Sequence, residues 1–262
     1  MASKKLFQSR QLQSYYKEGR LDDILKQFKK EINDKTFLGA GGDASGFLYH
    51  DKQVLKICCK TICYFRKFHI EHSQGLHFQQ HINSFGPYLL PVNDIIYEDD
   101  EILIYTQNFC HKLTKEKLSK ENVATVFQMV RLMFEKNSLS TDIGLHNIGV
   151  CQGQVVLFDY HGMHPILKNG QMPTKRWWGR LSKNLTRYMA YVYAPNKIED
   201  YCRLMKNLNE KSIKRMEKDD LLPNCFLDVL KYFINHTKNS QLYDIINLLD
   251  HCISCLQYSR KN

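Results

Sequence analysis

Apolar positions recur at mostly helical spacing between residues 8 and 33 (Leu12, Tyr15, Tyr16, Leu21, Ile24, Leu25, Phe28 and Ile32), with one interruption at Gly19. That spacing predicts two short helices ahead of the main domain. From residue 36 the period shortens to β-prone runs at 36–38, 47–49 and 54–57, separated by a glycine-rich segment and by the turn Asp51-Lys52. These predict two hairpins or three antiparallel strands. A helix-compatible stretch follows at about 65–82, and the runs 94–97 and 102–105 flank an acidic turn at 98–101, a further hairpin signal. The pattern gives a five-stranded antiparallel sheet with one helix.

Beyond Cys110 the pattern is mainly helical. Ser119 is placed to cap a helix with Glu121 in its first turn, and Val123, Val126, Phe127, Val130, Leu132, Met133 and Phe134 supply its buried face. Helical patterns return at about 177–194, 198–218, 225–236 and 241–257. No segment repeats at a fixed period and no Gly-, Ser- or Pro-rich linker divides the chain, so the fold class is α+β, with a small mixed lobe joined to a larger helical one near residues 107–112.

The 262 residues, 43% hydrophobic and 24% charged, exclude a disordered or collagen-like chain. The apolar runs fall far short of the roughly 20 residues of a membrane span, and the first residues lead into charged sequence, so the expectation is an unexported, cytoplasmic protein. Thirty-seven Lys and Arg against 27 Asp and Glu give a formal charge of +10, which attracts anionic partners without choosing among them. Nine cysteines cannot all pair within one molecule, so reduced, buried thiols are expected.

Three segments carry chemistry. Gly39, Gly41, Gly42 and Gly46 lie between two predicted strands, where glycines let the backbone approach an anion; the plain alternative is a hairpin turn. Ten residues past Gly46, Lys56 sits in the apolar run Val-Leu-Lys-Ile, either snorkelling from an edge strand or facing a ligand phosphate. After the long helix, Asp142 and Asn147 are separated by four residues, and twelve residues beyond Asn147 the apolar run 155–158 ends in Asp159.

In order and spacing these parts resemble the protein-kinase-like superfamily, over roughly residues 36–165. The resemblance implies a bilobal kinase-like fold: an N-terminal helical extension over 1–35, an N-lobe over 36–108 and a helical C-lobe over 109–262. It implies that Gly39, Gly41, Gly42 and Gly46 cover the phosphates of ATP, that Lys56 holds the α- and β-phosphates, and that Asp142 receives or orients the proton of the acceptor hydroxyl. Asn147 and Asp159 would hold Mg²⁺. An ion-pair partner for Lys56 is implied from the helix that follows, where Glu71 is the one carboxylate between Lys56 and Asp94. Residues 105–110 would form the hinge at the adenine, with Tyr105 or Thr106 at the back of the pocket and Gln107 and Asn108 beside it.

The departures bear on regulation and acceptor. Ser140-Thr141 stands where His-Arg is usual, so switching by loop phosphorylation is not expected; Gly144 replaces a lysine that touches the transferred phosphate, and His146 is placed to supply part of that charge. Asp159-Tyr160-His161 replaces Asp-Phe-Gly, and no Ala-Pro-Glu follows. The expected function is an ATP- and Mg²⁺-dependent Ser/Thr protein kinase of the compact type carried by large DNA viruses or bacterial effectors, acting in a host cytoplasm on a protein substrate, acidic in character, with a host activating partner as a further expectation. The alternatives are a small-molecule kinase acting on a sugar, lipid head group or aminoglycoside-like alcohol, and a pseudokinase scaffold.

Other features read more plainly. His69, His72, His77 and His81 follow Cys58, Cys59 and Cys63 without a recognised zinc spacing, and Cys252 and Cys255 form a C-x-x-C on a helical pattern. Between 168 and 218 basic residues such as Arg180, Lys183 and Arg187 interleave with Trp178, Tyr188 and Tyr191. A helical lobe with aromatic core residues and solvated charges is favoured there over a nucleic-acid or acidic-protein surface.

Overall fold

The computed structural model describes residues 6–7, 9–41, 44–50, 52–60, 75–160, 163–166, 175–220, 222–235 and 242–258. The chain divides into two units, Met1–His111 and Lys112–Asn262.

In the first unit, strands β1 (Phe37–Ala40), β2 (Ala44–Tyr49), β3 (Gln53–Cys59), β4 (Val92–Glu98) and β5 (Ile102–Asn108) form one antiparallel sheet in the order β1-β2-β3-β5-β4. Residues directly opposite one another in neighbouring strands share a face. Leu55, Ile57 and Cys59 therefore lie with Thr106, Ile104 and Ile102, whereas Lys56 lies with Tyr105 on one side and Gly46 on the other.

The first of these faces is covered by the start of the chain. Helix α1 (Arg10–Lys17) is capped by the Ser9 side chain, which accepts from Leu12 N, and helix α2 (Asp22–Gln27) follows the turn at Gly19. Leu6, Phe7, Leu12, Tyr15, Leu21, Ile24, Phe28 and Ile32 form one core with Phe47, Leu55, Ile57, Cys59, Ile102 and Ile104. Apolar side chains from Leu6 to Ile32 thus share the sheet's own core. Burial of each such side chain stabilises the unit by about 1.5–3 kcal/mol, an upper estimate. Arg20 stacks 3.9 Å from the Tyr15 ring centroid and pairs with Glu101, which fastens the segment to the β4–β5 turn.

The other face carries helix α3 (Gly75–Asn83), whose Phe78 meets Tyr105 edge-on at 5.3 Å. The side chain of Asn83 accepts from Val92 N (2.9 Å) and donates to Val92 O (3.0 Å), while Gln79 donates to Asn93 O (2.6 Å). Side chains of α3 thus take up backbone groups at the start of β4, where its register against β5 shifts. The helix-compatible stretch read from the sequence begins earlier; its residues 65–74 lie outside the described residues.

In the second unit, helix α4 (Lys120–Glu135) starts with a capping box between Ser119 and Asn122. Its buried face contains Ala124 and Met129 in addition to the residues expected, and Leu132 is half-buried. Strand β6 (Ser138–Ser140) follows, then the hairpin of β7 (Ile148–Cys151) and β8 (Gln154–Leu157), and β9 (Met163–Pro165) returns to pair with β6. Helices α5 (Lys175–Tyr193), α6 (Ile198–Leu204), α7 (Glu210–Lys218), α8 (Asn224–Asn235) and α9 (Leu242–Tyr258) complete the unit. Trp178 of α5 stacks between Phe134 of α4 (5.8 Å) and Phe233 of α8 (5.0 Å). The single helical pattern expected over 198–218 is two helices. Asn209 ends the continuity by capping α7 from extended backbone, its side chain accepting from Ser212 N at 3.0 Å. Among the described residues, no helix is long and apolar enough to cross a membrane.

Candidate functional site

The first unit supplies a lysine and a glycine hairpin. Lys56 is 9% exposed on a sheet face shared with Tyr105, Gln107 and Val54. Gly46 stands opposite Lys56, and a Cβ there would lie 3.5 Å from the Val54 side chain, on that same face. Gly39 pairs with Gly46 and has φ +156°, a backbone that L side chains rarely adopt, although an added Cβ would meet nothing within 4 Å. Gly41 N donates to Ala44 O at 2.8 Å and closes the tip of the hairpin. Gly42 lies outside the described residues, as does Glu71.

Alternation along β5 separates the two candidates for the back of an adenine pocket. Tyr105 shares the face of Lys56, but Thr106 stands opposite Leu55 on the face covered by α1 and α2, and its hydroxyl accepts from Asp94 N at 3.2 Å. Of the two, Tyr105 is therefore the one on the face of Lys56, since one step along a strand reverses the face. Gln107 is buried beside Val54, and the Asn108 side chain accepts from Asn93 Nδ2 at 3.0 Å. A second buried lysine went unnoticed in the sequence. Lys60 Nζ lies 2.5 Å from Glu98 Oε1 and donates to Asp99 O at 2.6 Å, while Gly75 N donates to the same Glu98 oxygen at 2.8 Å. The signal was the parity Val54, Lys56, Cys58, Lys60.

The second unit supplies the acidic loop. After β6, four consecutive carbonyls at 141–144 each accept a hydrogen bond: Thr141 O from Asn184 Nδ2 (2.9 Å), Asp142 O from Asn147 Nδ2 (2.9 Å), Ile143 O from Tyr188 Oη (2.6 Å) and Gly144 O from Asn147 N (2.9 Å). Ser140 Oγ also accepts from Asp142 N at 3.2 Å. Buried carbonyls left unpaired cost about 1–3 kcal/mol each, so this pairing fixes the loop in one conformation. The Asp142 side chain stays 59% exposed, with one oxygen 3.2 Å from Nε2 of His146. His146 Cε1 lies 2.6 Å from where a Cβ on Gly144 would stand. Burial, then Tyr191 and Asp142, raises the pKa of the Tyr188 phenol, so it remains a hydrogen-bond donor.

Asn147 is 6% exposed, and its carbonyl accepts from Phe158 N at 3.0 Å, which brings the end of β8 to the loop and sets Asp159 next to it in sequence. Because the Asn147 amide nitrogen is engaged with Asp142, its Oδ1 is the side-chain atom suited to a hard cation. The Asn147 amide oxygen and the Asp159 carboxylate are hard oxygen donors, the type that Mg²⁺ takes one or two of alongside phosphate and water. Among the described residues no cluster of three His, Cys, Asp or Glu side chains is suited to a metal. Tyr160 is fully buried and its carbonyl accepts from Met163 N at 3.0 Å; His161 lies outside the described residues.

In the sequence Tyr188 reads only as an interleaved aromatic and Asn184 carries no signal, because nothing in one dimension ties them to a loop more than 40 positions away. They stand one helical turn apart on α5. Arg187 lies between them, and Gly144, Leu145, His146, Asn184, Arg187, Tyr188 and Tyr191 line a cavity of about 290 Å³.

The remaining candidates are structural. Cys58 and Cys59 are buried in β3, His77 and His81 lie on α3, and His69, His72 and Cys63 lie outside the described residues. The described cysteines are free thiols, of which Cys58, Cys59, Cys225 and Cys252 are buried and the others half-buried. Cys252 Sγ contacts Cys225 O at 3.2 Å, and hydrogen bonding with Cys225 followed by burial raises the Cys252 pKa. That thiol is held in its unreactive form.

No protein-family model and no curated protein matches the chain. Among solved structures it is similar to the kinase PK-1 of Cydia pomonella granulovirus, at 11% identity, covering 88% of this chain and 99% of that one with a TM-score of 0.48. A likeness this distant assigns no residue a role.

Proposed function

We propose that the chain is an ATP- and Mg²⁺-dependent phosphotransferase of divergent Ser/Thr protein kinase type. The observation that carries the reading is the loop at 141–147: its carbonyls are hydrogen-bonded one after another, so that Asp142 projects from a fixed backbone, while Asn147 is bonded to the end of the strand that precedes Asp159. Phosphoryl transfer needs little covalent chemistry from a protein. It needs fixed groups at the acceptor hydroxyl and opposite charge at the phosphates.

In this reading Lys56 neutralises the α- and β-phosphates, the hairpin glycines cover them, and Asn147 and Asp159 hold Mg²⁺. Asp142 orients the acceptor hydroxyl and takes its proton. The hydroxyl oxygen forms a bond to the γ-phosphorus as the bond from that phosphorus to the β–γ bridging oxygen breaks, and ADP leaves with the electron pair. The position of Lys56 opposite Gly46 of the glycine hairpin supports this assignment, since it sets the ammonium on the strand next to the backbone that would cover the phosphates. Thr141 occupies the position before Asp142, is buried, and its carbonyl is bonded to Asn184, so the loop is held in place without a phosphorylated segment.

The test is transfer of label from γ-labelled ATP, with Mg²⁺, to protein acceptors by unphosphorylated purified protein, beside Lys56→Ala and Asp142→Ala. The expected result is labelling lost by 10²-fold or more in both variants. Undiminished labelling in Asp142→Ala, or none in the wild type, overturns the reading. Label on an alcohol but on no protein assigns a small-molecule acceptor instead.

A further inference from the structure

The cavity beside the Asp142 loop is built by two segments of the second unit. Its floor is Tyr188, 2% exposed, and Asn184, both hydrogen-bonded to the loop. One wall is His146, which also touches the Asp142 carboxylate. A molecule in the cavity therefore lies against the residue that neighbours the acceptor-side carboxylate.

The lining also carries positive charge. Arg187 lines the cavity, and Arg180 and Lys183 precede it on α5 at spacings of seven and four residues. All three are exposed, and none has a hydrogen bond or ion pair to another described residue. The helix contains no Asp or Glu. From Arg180 to Arg187 the rise is about 10 Å, the length of roughly three residues of extended peptide.

We propose that this cavity and the Arg180–Lys183–Arg187 row form the acceptor-side subsite, which takes an acidic segment of a protein substrate next to the hydroxyl to be phosphorylated. The proposal rests on the phosphotransferase reading above and adds the substrate class. A carboxylate of the substrate enters the cavity against Arg187, and further carboxylates lie along Lys183 and Arg180. A peptide is favoured over a nucleic acid because the cavity is concave and small, and because of its two aromatic residues Tyr188 is buried and Tyr191 half-buried, which leaves little open ring surface for stacked bases.

The test uses two fluorescein-labelled peptides with one serine, flanked by three glutamates or by three glutamines, in binding by fluorescence anisotropy and in γ-phosphate transfer. The wild type is expected to bind and phosphorylate the glutamate peptide with Kd and KM at least about tenfold lower. Arg187→Glu and the pair Arg180→Glu/Lys183→Glu are each expected to erase that preference, and Lys214→Glu, the same charge change on α7, to retain it. Equal handling of both peptides by the wild type overturns the subsite while leaving the phosphotransferase reading intact. A preference that survives in both charge-reversed proteins does the same, and so does a single-stranded oligonucleotide that displaces the glutamate peptide and binds more tightly. A wild type that transfers label to no acceptor overturns the reading itself and the acceptor role with it.

Discussion

Gly144 and His146 occupy one space: a Cβ on Gly144 would stand 2.6 Å from Cε1 and 2.7 Å from Nδ1 of the imidazole. The ring folds back over the glycine and reaches Asp142 at 3.2 Å only because position 144 has no side chain. Gly144→Ala is expected to drive the ring off the carboxylate and to slow the proposed phosphate transfer by about tenfold, within the range that small misplacements cost. In a double-mutant cycle, Gly144→Ala should add nothing to His146→Ala, since the clash is then gone. Additive losses in the double variant would show that the two positions act independently.

Tyr188 and Asn184 hold the carbonyls on either side of Asp142. Tyr188→Phe leaves the Ile143 carbonyl without its donor and is expected to lower stability by about 1–3 kcal/mol. The loss is read as a shift in the urea midpoint. Because the loop loosens, kcat should fall more than KM for ATP rises. An unchanged kcat in a destabilised protein would assign Tyr188 to the core alone.

Alkaline stability follows from the same tyrosine. Burial raises the pKa of Tyr188, and burial followed by Asp200 raises that of Tyr201 to about 12. A group whose pKa is raised by folding contributes fully below its free value, about 10 for tyrosine, and loses that contribution as pH rises through the folded value. The urea midpoint should therefore fall between pH 9.5 and 12, and Tyr201→Phe should flatten that decline. Identical slopes in wild type and variant would remove Tyr201 from the account.

The N-terminal helices supply one side of the sheet's core. Leu12→Ala is expected to cost about 2–5 kcal/mol, the range for a fully buried leucine. Removal of residues 1–35 should leave Leu55, Ile57 and Ile104 in water and give an aggregating product, scored by size-exclusion chromatography. A monomeric truncated protein with an intact melting transition is the contrary outcome.

Much of this architecture could be read from spacing. The strands at 36–57 and 92–108 announced themselves by short apolar runs between turn residues, and the helix at 120–135 by its cap. Asp142, Asn147 and Asp159 stood out because short-range spacing is visible in one dimension. The supports of that loop did not, since Asn184 and Tyr188 act 43 and 45 positions away. The choice between Tyr105 and Thr106 stayed open in the sequence because face depends on strand register, and a shift of one residue inverts it. The break before Glu210 was hidden within a helical pattern that continues on both sides, and it shows in the structure as a 3-10 turn at Met205–Asn207, extended backbone at Asn209 and the capping bond.

The sharing of one core by α1, α2 and β5 sets an order of events during synthesis. Helices of eight and six residues are too short to persist alone in water. Their partners Ile102 and Ile104 leave the ribosome some 80 residues later, several seconds at ordinary elongation rates. In that interval Leu12, Tyr15 and Ile24 have only the partners from β2 and β3, among them Phe47, Leu55 and Ile57, to cover them. The first unit thus closes in a single late step when its last strand arrives, and its early segment is a natural client for chaperones until then.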